Sequence, residues 1–275
     1  MRTVRTVAEV REALAGPRGR RERIGLVPTM GAFHAGHIAL MRAAREASDV
    51  VVVSLFVNPS QFTSADDLAR YPRDEAQDVL AAEAAGVDTL FAPSVEELFP
   101  DGFATSVDPG ELATVLEGAA RPGHFPAVAT VCTKLFSIVE PHVAWFGQKD
   151  AQQVAVIRRV VADLNLPLEI ATVPTVRDDD GLALSSRNVL LSASERKAAL
   201  ALPQALRAGL EAHRSGAEEV AAARAMLMAE PGVVVDYVAV APLGEPTLVA
   251  AITVGGTRLI DNVRLDGDEP PAVLP

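Results

Sequence analysis

The stretch Val27-Pro28-Thr29-Met30-Gly31-Ala32-Phe33-His34-Ala35-Gly36-His37 decides the fold that this chain predicts. It follows the apolar run 24–27 and precedes residues 38–47, whose apolar side chains recur at the spacing of an amphipathic helix. The segment therefore predicts a strand, a tight turn and a helix. Its two glycines, Gly31 and Gly36, allow the backbone to turn sharply and to approach a ligand closely.

The predicted turn has the features of an anion site. The first turn of a helix presents unpaired N–H groups and the positive end of the helix dipole, and His34 and His37 can face the same point. A phosphate chain suits this arrangement, although such turns also occur without a ligand. Half of a zinc site is a weaker interpretation, since no HExxH or cysteine pattern accompanies the histidines. The dinucleotide-binding fingerprint G-x-G-x-x-G is absent.

Composition and charge indicate a globular protein with a small-molecule ligand. The 275 residues are 49% hydrophobic and 22% charged, which allows one or two domains with an ample core. A net charge of −11 argues against a nucleic-acid surface. The longest apolar run, 50–57, is too short to cross a membrane, and the N-terminus lacks the apolar core of a signal peptide. Because Cys132 is the single cysteine, a reducing cytoplasm is expected.

Strand and helix patterns alternate through the first two-thirds of the chain. After an N-terminal strand and helix, the predicted strands are 24–27, 49–57, 88–91, 143–146 and 168–173, and the predicted helices are 36–48, 72–85, 127–139 and 150–164, with an irregular stretch up to about 123. This order predicts a Rossmann-like α/β fold, in which helices cover both faces of a parallel sheet. Ligands of such sheets bind at the carboxyl ends of the strands. Three chemically rich segments, 28–37, 58–62 and 147–153, follow predicted strands there.

The acidic cluster Asp178-Asp179-Asp180-Gly181 interrupts this alternation and suggests a domain boundary near residue 175. We therefore expect a domain of residues 1–175 and a smaller α+β domain of residues 176–275. In the second domain the predicted helices are 194–209, with a kink at Pro203, and 217–228. The predicted strands are 233–240, 248–254 and 257–262, with a hairpin turn at Gly255-Gly256.

Three further segments carry candidate binding groups. Asn58-Pro59-Ser60-Gln61-Phe62 is either a plain turn with a surface glutamine, or a strand end at which Gln61 binds hydroxyl or carboxylate groups. Lys149 at the start of a helix opposes the helix dipole, which suggests an anionic partner; Asp150 beside it is a good N-cap. Leu184-Ser185-Ser186-Arg187 is either a solvated loop or a phosphate clamp in which Arg187 binds phosphate oxygens. Arg121 is one more candidate cation.

Together these segments resemble a known family. The H-x-G-H sequence resembles the HIGH motif of class I adenylate-forming enzymes and related nucleotidylyltransferases, and LSSR resembles a variant of their KMSKS loop. More closely, VPTMGAFHAGH, FVNPSQF, YPRD, RPGHF, FGQKDAQQ, VPTVRDDDGLALSSRN and TRLIDN resemble the pantothenate synthetase (pantoate–β-alanine ligase) family. Leu184, Ala151 and Phe33 stand where the family often has Met, Tyr and Leu; these replacements spare every charged position.

The resemblance implies a ligation in two steps. The carboxylate of (R)-pantoate attacks the α-phosphorus of ATP, which gives pantoyl adenylate and pyrophosphate. The amine of β-alanine then attacks the mixed anhydride and releases AMP and pantothenate. The resemblance also implies that Mg²⁺ accompanies ATP, with Asp78 as a weak candidate for a protein ligand, and that the enzyme is a homodimer.

The resemblance further implies roles for individual residues. It makes His34, His37, Lys149 and Arg187 the catalytic groups. It assigns ATP binding to Met30, Gly31, Ala32, Phe33, His34, Ala35, Gly36, His37, Gly147, Gln148, Lys149, Asp150, Val176, Leu184, Ser185, Ser186 and Arg187. It assigns pantoate to Gln61 and Gln153 and β-alanine to Gln61, and it places Asn58, Tyr71 and Arg121 further out in the pocket.

Rival functions differ in what they require of the sequence. A nucleotidylyltransferase acting on a small phosphorylated acceptor needs a basic acceptor pocket, whereas Gln61 and Gln153 are uncharged. A fragment of an aminoacyl-tRNA synthetase needs an RNA surface, which the acidic charge disfavours. A nucleotide sensor without catalysis would have lost its charged groups, yet the two histidines, Lys149 and Arg187 are all present.

Overall fold

The computed structural model describes residues 1–62 and 64–267, and the chain forms two compact units. The first unit contains Met1–Gly147 and Gln152–Val173, and the second contains Gln148–Ala151 and the chain from Pro174 onward. The short segment 148–151 thus belongs to the second unit, although the strand before it and most of the helix after it belong to the first.

The first unit is built on a six-stranded parallel sheet. Its strands are β1 (Arg2–Val4), β2 (Ile24–Thr29), β3 (Val50–Leu55), β4 (Thr89–Phe91), β5 (Val143–Gly147) and β6 (Glu169–Val173). They lie in the order β1-β4-β3-β2-β5-β6, and each neighbouring pair is parallel. The chain runs from β2 outward to β3 and β4 and then crosses to β5 on the other side of β2. This reversal places a ligand crevice at the carboxyl ends of β2 and β5.

Helices cover both faces of this sheet, as the continuous burial of the central strands β2 and β3 requires. The helices of the unit are α1 (Val7–Gly19), α2 (Ala35–Ala47), α3 (Ala65–Arg70), α4 (Glu75–Ala84), α5 (Val95–Leu98), α6 (Glu117–Ala120), α7 (His124–Val139) and α8 (Ala151–Asp163). Ile24 and Leu26 of β2 pack in one core cluster with side chains of α1, α7 and α8. Val27 packs on the opposite face with side chains of α2 and α4. The predicted Rossmann-like fold is confirmed.

Two local predictions in this unit need correction. The predicted helix 72–85 begins only at Glu75, because the Asp74 side chain accepts the N–H of Gln77 and caps it. Pro72 therefore precedes the cap and does not occupy the first turn. The stretch up to 123, predicted as irregular, contains α5, α6 and a 3₁₀ turn at Gly110–Ala113.

The second unit is an α+β fold. Its helices are α9 (Ala193–Ala199), α10 (Ala201–Arg214) and α11 (Glu219–Ala229), and its strands are β7 (Val233–Pro242), β8 (Pro246–Val254) and β9 (Thr257–Arg264). The strands form an antiparallel sheet in the order β7-β8-β9. Gly255 and Gly256 have φ values of 55° and 82°, which confirms the predicted hairpin turn between β8 and β9.

The predicted kink at Pro203 is wrong. The predicted helix 194–209 is two helices that meet at Leu200, and Pro203 lies in the first turn of α10. A proline ring clashes with the carbonyl four residues earlier, here that of Ala199, so the first helix ends there and a new one starts. Within the described residues, no helix combines the length and apolar composition needed to cross a bilayer.

Candidate active site

The turn after β2 is held in shape by a buried carboxylate. Gly31 and Ala32 have φ values of 80° and 54°, in the left-handed region. Asp78 of α4 is 3% exposed and accepts the N–H of Ala32 at 2.9 Å and that of Phe33 at 2.7 Å. A Cβ at Gly31 would lie 2.8 Å from Oδ2 of Asp78, so the turn needs glycine here both for its φ and for its space.

His34 and His37 lie together at the N-terminus of α2. His34 is the N-cap, and its Nδ1 accepts the N–H of Gly36 at 3.2 Å, while Nδ1 of His37 accepts the N–H of His34 at 3.3 Å. Their ring centroids are 4.1 Å apart. Because each Nδ1 accepts a hydrogen bond, the proton of the neutral ring is on Nε2 in both residues. Both imidazoles therefore present the same nitrogen, Nε2–H, as a donor at a helix N-terminus.

The turn after β3 places Gln61 inside the unit. Asn58 is buried and caps the turn, accepting from the N–H and the hydroxyl of Ser60. Gln61 is 8% exposed, which excludes the interpretation of a surface glutamine. No residue in the described part of the chain hydrogen-bonds its side-chain amide. A ligand that pairs with this amide would form its hydrogen bond in a position largely shielded from water.

Arg121 and His124 secure the Gln61 turn from the segment before α7. Arg121 Nη2 donates to the carbonyl of Gln61 at 2.8 Å, and His124 Nδ1 lies 3.1 Å from the same oxygen. Arg121 Nη1 lies 3.1 Å from His124 Nε2. Since a carbonyl only accepts and a guanidinium only donates, His124 carries its proton on Nδ1. His124 lies within the motif RPGHF, and its spacing from Arg121 is the only sequence signal for this role.

The two neighbouring glutamines of α8 have different surroundings. Gln152 is buried, and its Nε2 donates to the carbonyls of Leu112 and Val115 while its Oε1 accepts the N–H of Glu117. It therefore anchors the segment around α6. Gln153 is half-buried, and its side-chain amide has no hydrogen bond with any described residue. Of the pair, Gln153 is therefore the one whose side-chain amide is not used within the described part of the chain.

In the second unit, Lys149 lies in a short 3₁₀ turn at Gln148–Asp150. Its Nζ is 3.7 Å from Asp150 Oδ1, and its side chain is 20% exposed. Asn262 of β9 holds this turn, because its Nδ2 donates to the carbonyls of Gln148 and Lys149, each at 2.9 Å. Asn262 lies in the motif TRLIDN of the resemblance, but no pattern in the sequence predicts this contact.

The loop that carries Arg187 is also fastened within the second unit. The N–H of Leu184 donates to the carbonyl of Val176, and Ser185 caps the 3₁₀ turn Ser186–Leu190 by accepting the N–H of Arg187. Asn188 Nδ2 donates to the carbonyl of Ala183 at 3.0 Å. Val176 and Leu184, two of the predicted ATP-binding residues, are thus neighbours.

Two of the carboxylates in the acidic cluster that precedes this loop, Asp178 and Asp180, form ion pairs. Arg177 and Asp261 form a pair at 2.6 Å whose side chains are 7% and 0% exposed. Arg196 of α9 pairs with Asp178 at 2.6 Å and Asp180 at 2.8 Å. Burial alone would raise the pKa of Asp180. The hydrogen bonds from Arg196 and from the N–H of Leu182 outweigh it and hold that pKa below its ordinary value. The cluster therefore anchors the loop to α9.

The predicted site residues fall into two groups. In the first unit, residues 30–37 lie beside Asp78, and Asn58 and Gln61 form the turn that Arg121 holds. The first unit also contains Gly147, Gln153 and Tyr71, and Tyr71 packs edge-on against Phe62. The second unit contains residues 148–150, Val176 and residues 184–187. Across the described residues, no three His, Cys, Asp or Glu side chains are grouped to hold a metal ion, so the zinc interpretation gains no support.

The likeness to known proteins covers the whole chain. A family model described as pantoate-beta-alanine ligase matches residues 2–264. Pantothenate synthetase from Moorella thermoacetica is 51% identical over 97% of this chain and 99% of its own length. Pantothenate synthetase 1 from Bradyrhizobium diazoefficiens is 52% identical over 96% and 98%.

Solved structures agree with these relatives. The crystal structure of pantothenate synthetase from Thermus thermophilus has a TM-score of 0.90 at 47% identity and covers 96% of this chain and 99% of its own. The pantoate-beta-alanine ligase from Francisella tularensis, complexed with beta-gamma ATP and beta-alanine, has a TM-score of 0.83 at 33% identity over 98% and 99%. The resemblance noted in the sequence is confirmed, and this chain belongs to the pantoate–β-alanine ligase family.

Proposed function

We propose that this chain condenses (R)-pantoate with β-alanine to form pantothenate, consuming ATP and releasing AMP and pyrophosphate through a pantoyl-adenylate intermediate. The proposal is carried by Gln61, a residue only 8% exposed whose side-chain amide pairs with no described residue. It lies in the turn after β3, the strand next to β2, and β2 leads to the two histidines. An uncharged donor and acceptor suits a hydroxy acid, whereas a phosphorylated acceptor would need a cation. Arg121, the cation beside this turn, is engaged with the Gln61 carbonyl and with His124.

Adenylation needs stabilisation of charge that moves onto the leaving pyrophosphate. Met30 to His37 form the ATP-binding turn of the first unit, in which the Nε2–H groups of His34 and His37 donate to phosphate oxygens. The amides of Ala32 and Phe33 are committed to Asp78, so the donors at this turn come from the histidines and the start of α2. Preorganised donors of this kind stabilise a transition state without rearrangement at the moment of reaction.

The cations of the second unit complete the phosphate contacts. Lys149 binds the α-phosphate and stays there through both steps, and Gly147, Gln148 and Asp150 frame the nucleotide with Val176 near the adenine. Leu184 leads into Ser185, Ser186 and Arg187, which bind the β- and γ-phosphates. In this proposal the first unit binds pantoate and supplies the ATP-binding turn, and the second unit supplies Lys149 and the KMSKS-like loop.

Gln61 and Gln153 bind the hydroxyl and carboxylate oxygens of pantoate, and Gln61 also lies at the β-alanine site. Tyr71 and Arg121 line the pocket further out. Asn58 acts mainly by shaping the turn, because its Oδ1 already accepts two hydrogen bonds from Ser60. The amine of β-alanine then attacks the acyl carbon of the adenylate, and the bond to AMP breaks as the amide forms.

Magnesium enters with ATP in this proposal. Both oxygens of Asp78 accept backbone N–H groups, and its side chain is almost fully buried, so it does not fit the role of a magnesium ligand. The substrate is therefore MgATP, with the ion bound by phosphate oxygens and water, as is common for this cation. We also propose a homodimer, from the family resemblance, and a cytoplasmic location, from the single buried cysteine.

Release of pyrophosphate and AMP tests the proposal. Purified protein is given MgATP with pantoate alone, β-alanine alone, both, or glycerol 3-phosphate as a phosphorylated acceptor. We expect one equivalent of pyrophosphate with pantoate alone, and multiple turnovers with an amide product only when both acids are present. Turnover that requires glycerol 3-phosphate, or neither acid, would identify a nucleotidylyltransferase or an ATP hydrolase instead.

A further inference from the structure

Asn262 makes an unusual pair of contacts in the second unit. It lies on β9, is buried, and is separated from Lys149 by more than a hundred residues of sequence. One amide nitrogen donates to two consecutive carbonyls, those of Gln148 and Lys149, at 2.9 Å each. Because carbonyls only accept, the NH₂ group must face them, and the orientation of the amide is unambiguous.

These two hydrogen bonds act on the backbone of Lys149. The peptide group between Gln148 and Lys149 and the one after Lys149 are both held by the same side chain. With both fixed, the direction in which the Cα–Cβ bond of Lys149 leaves the backbone is fixed as well. The lysine side chain is long and flexible, so its ammonium group relies on this backbone anchor for its average position.

The part of β9 that carries Asn262 is itself held in place by further contacts. Asp261, the residue before Asn262, is fully buried; its Oδ1 accepts the N–H of Asn262 at 2.8 Å, and its carboxylate pairs with Arg177. Asp261 and Asn262 are paired in register with Ala250 and Val249 of β8, the central strand of the sheet. The side chain that holds the lysine turn thus comes from a part of the unit with little freedom.

We propose that Asn262 is the positioning residue for Lys149, and that the adenylation rate depends on it although it does not touch substrate. This inference rests on the proposed function, because it needs Lys149 to act on the α-phosphate. The inference goes beyond the proposed function because it makes a residue of β9 responsible for the position of Lys149. Misplacement of a catalytic group by about 1 Å can reduce a rate on the order of 100-fold.

A double-mutant cycle tests the proposal. The variants are Asn262→Leu, Lys149→Ala and the combination, and the readout is single-turnover pyrophosphate release from MgATP and pantoate. We expect Asn262→Leu to slow this step about 10- to 100-fold and Lys149→Ala about 100- to 1,000-fold. The combination should be no slower than Lys149→Ala alone, because Asn262 acts through the lysine. The KM for pantoate should stay within about twofold in Asn262→Leu, since the proposed pantoate residues belong to the first unit.

A second variant and a control keep folding separate from positioning. Asn262→Asp retains size and polarity but sets an oxygen against both carbonyls, so it should slow adenylation at least as much as Asn262→Leu. Asp236→Asn weakens the ion pair with Arg258 of β9 elsewhere in the same unit and should leave the rate unchanged. Circular dichroism melts report folding for every variant.

Three outcomes would overturn the inference. Losses that multiply in the combined variant would show that Asn262 acts independently of Lys149. An unchanged rate in both Asn262 variants would show that the lysine does not need its anchor. If Lys149→Ala adenylates pantoate as well as the wild-type protein does, the role of the lysine is wrong and so is this inference. If the wild-type protein itself releases no pyrophosphate, the proposed function is wrong.

Discussion

Replacing Gly31 with alanine should be much more damaging than replacing another glycine of the same backbone conformation. Gly31 has a φ of 80° and Gly102 a φ of 83°. A Cβ at Gly102 meets no atom within 4 Å, whereas one at Gly31 lies 2.8 Å from Oδ2 of Asp78. Gly102→Ala is therefore a matched control, which carries the conformational penalty without the collision.

The magnitudes follow from these contacts. An alanine at positive φ costs about 1–2 kcal/mol at either position. At Gly31 the added methyl also displaces the Asp78 carboxylate, which accepts two backbone hydrogen bonds from the turn. The loss of one hydrogen bond to a charged group costs about 1.5–3 kcal/mol. We therefore expect Gly31→Ala to lower the free energy of unfolding by about 2.5–5 kcal/mol, against about 1–2 kcal/mol for Gly102→Ala.

Urea denaturation measures both values. Trp145, the only tryptophan, lies on β5 in the first unit, so its fluorescence reports the unit that contains both glycines. In a background of Asp78→Ala the collision is gone, and Gly31→Ala should then cost no more than Gly102→Ala. Equal losses for the two glycines in the wild-type background would refute the reasoning, since they would mean that Asp78 does not crowd the turn.

Three shorter predictions test other parts of the molecule. Gln61→Ala should raise the KM for pantoate by more than the KM for ATP in steady-state assays; equal effects would remove Gln61 from the acid pocket. Asp261→Asn should destabilise the protein by about 3–5 kcal/mol in urea, because it leaves the buried Arg177 charge unpaired. Burial raises the pKa of Cys132 to about 12, from an ordinary value of 9.0. Its stabilising contribution is therefore present below pH 9 and lost as the pH rises toward 12, and Cys132→Ala should show a smaller loss of stability over that range.

The elements that carry local signals were predictable from the sequence. The strand, turn and helix at 24–47 follow from an apolar run, a glycine that can adopt positive φ, and helical spacing after it. The alternation of such units then leads to a parallel sheet with helices on both faces. The capping box Ser192-x-x-Glu195 was also readable as the start of α9, and Pro203 could have indicated that a new helix begins there.

The contacts that shape the site were not predictable, because they join distant segments. Asp78 is 46 residues from Ala32, and Asn262 is 113 residues from Lys149. No spacing pattern relates such residues, so nothing in the sequence indicates that Asp78, a weak magnesium candidate from the resemblance, instead holds the turn after β2. Gln152 and Gln153 present the same problem, since only the position of the carbonyls at Leu112 and Val115 decides which amide is used internally.

Which of the two units a residue belongs to depends on its contacts and not on its place in the sequence, as Lys149 shows. The residue lies between β5 and α8, two elements of the first unit, yet its backbone is hydrogen-bonded to β9 of the second. The cation therefore shares its supporting structure with the loop of Arg187 rather than with the strand that precedes it. It follows that substitutions of Asp261 and Asn262, near the end of the chain, should act on the lysine-dependent step while the turn of His34 and His37 keeps its geometry. A residue far in sequence from the catalytic motifs, such as Asn262, can thus affect the reaction that those motifs carry out.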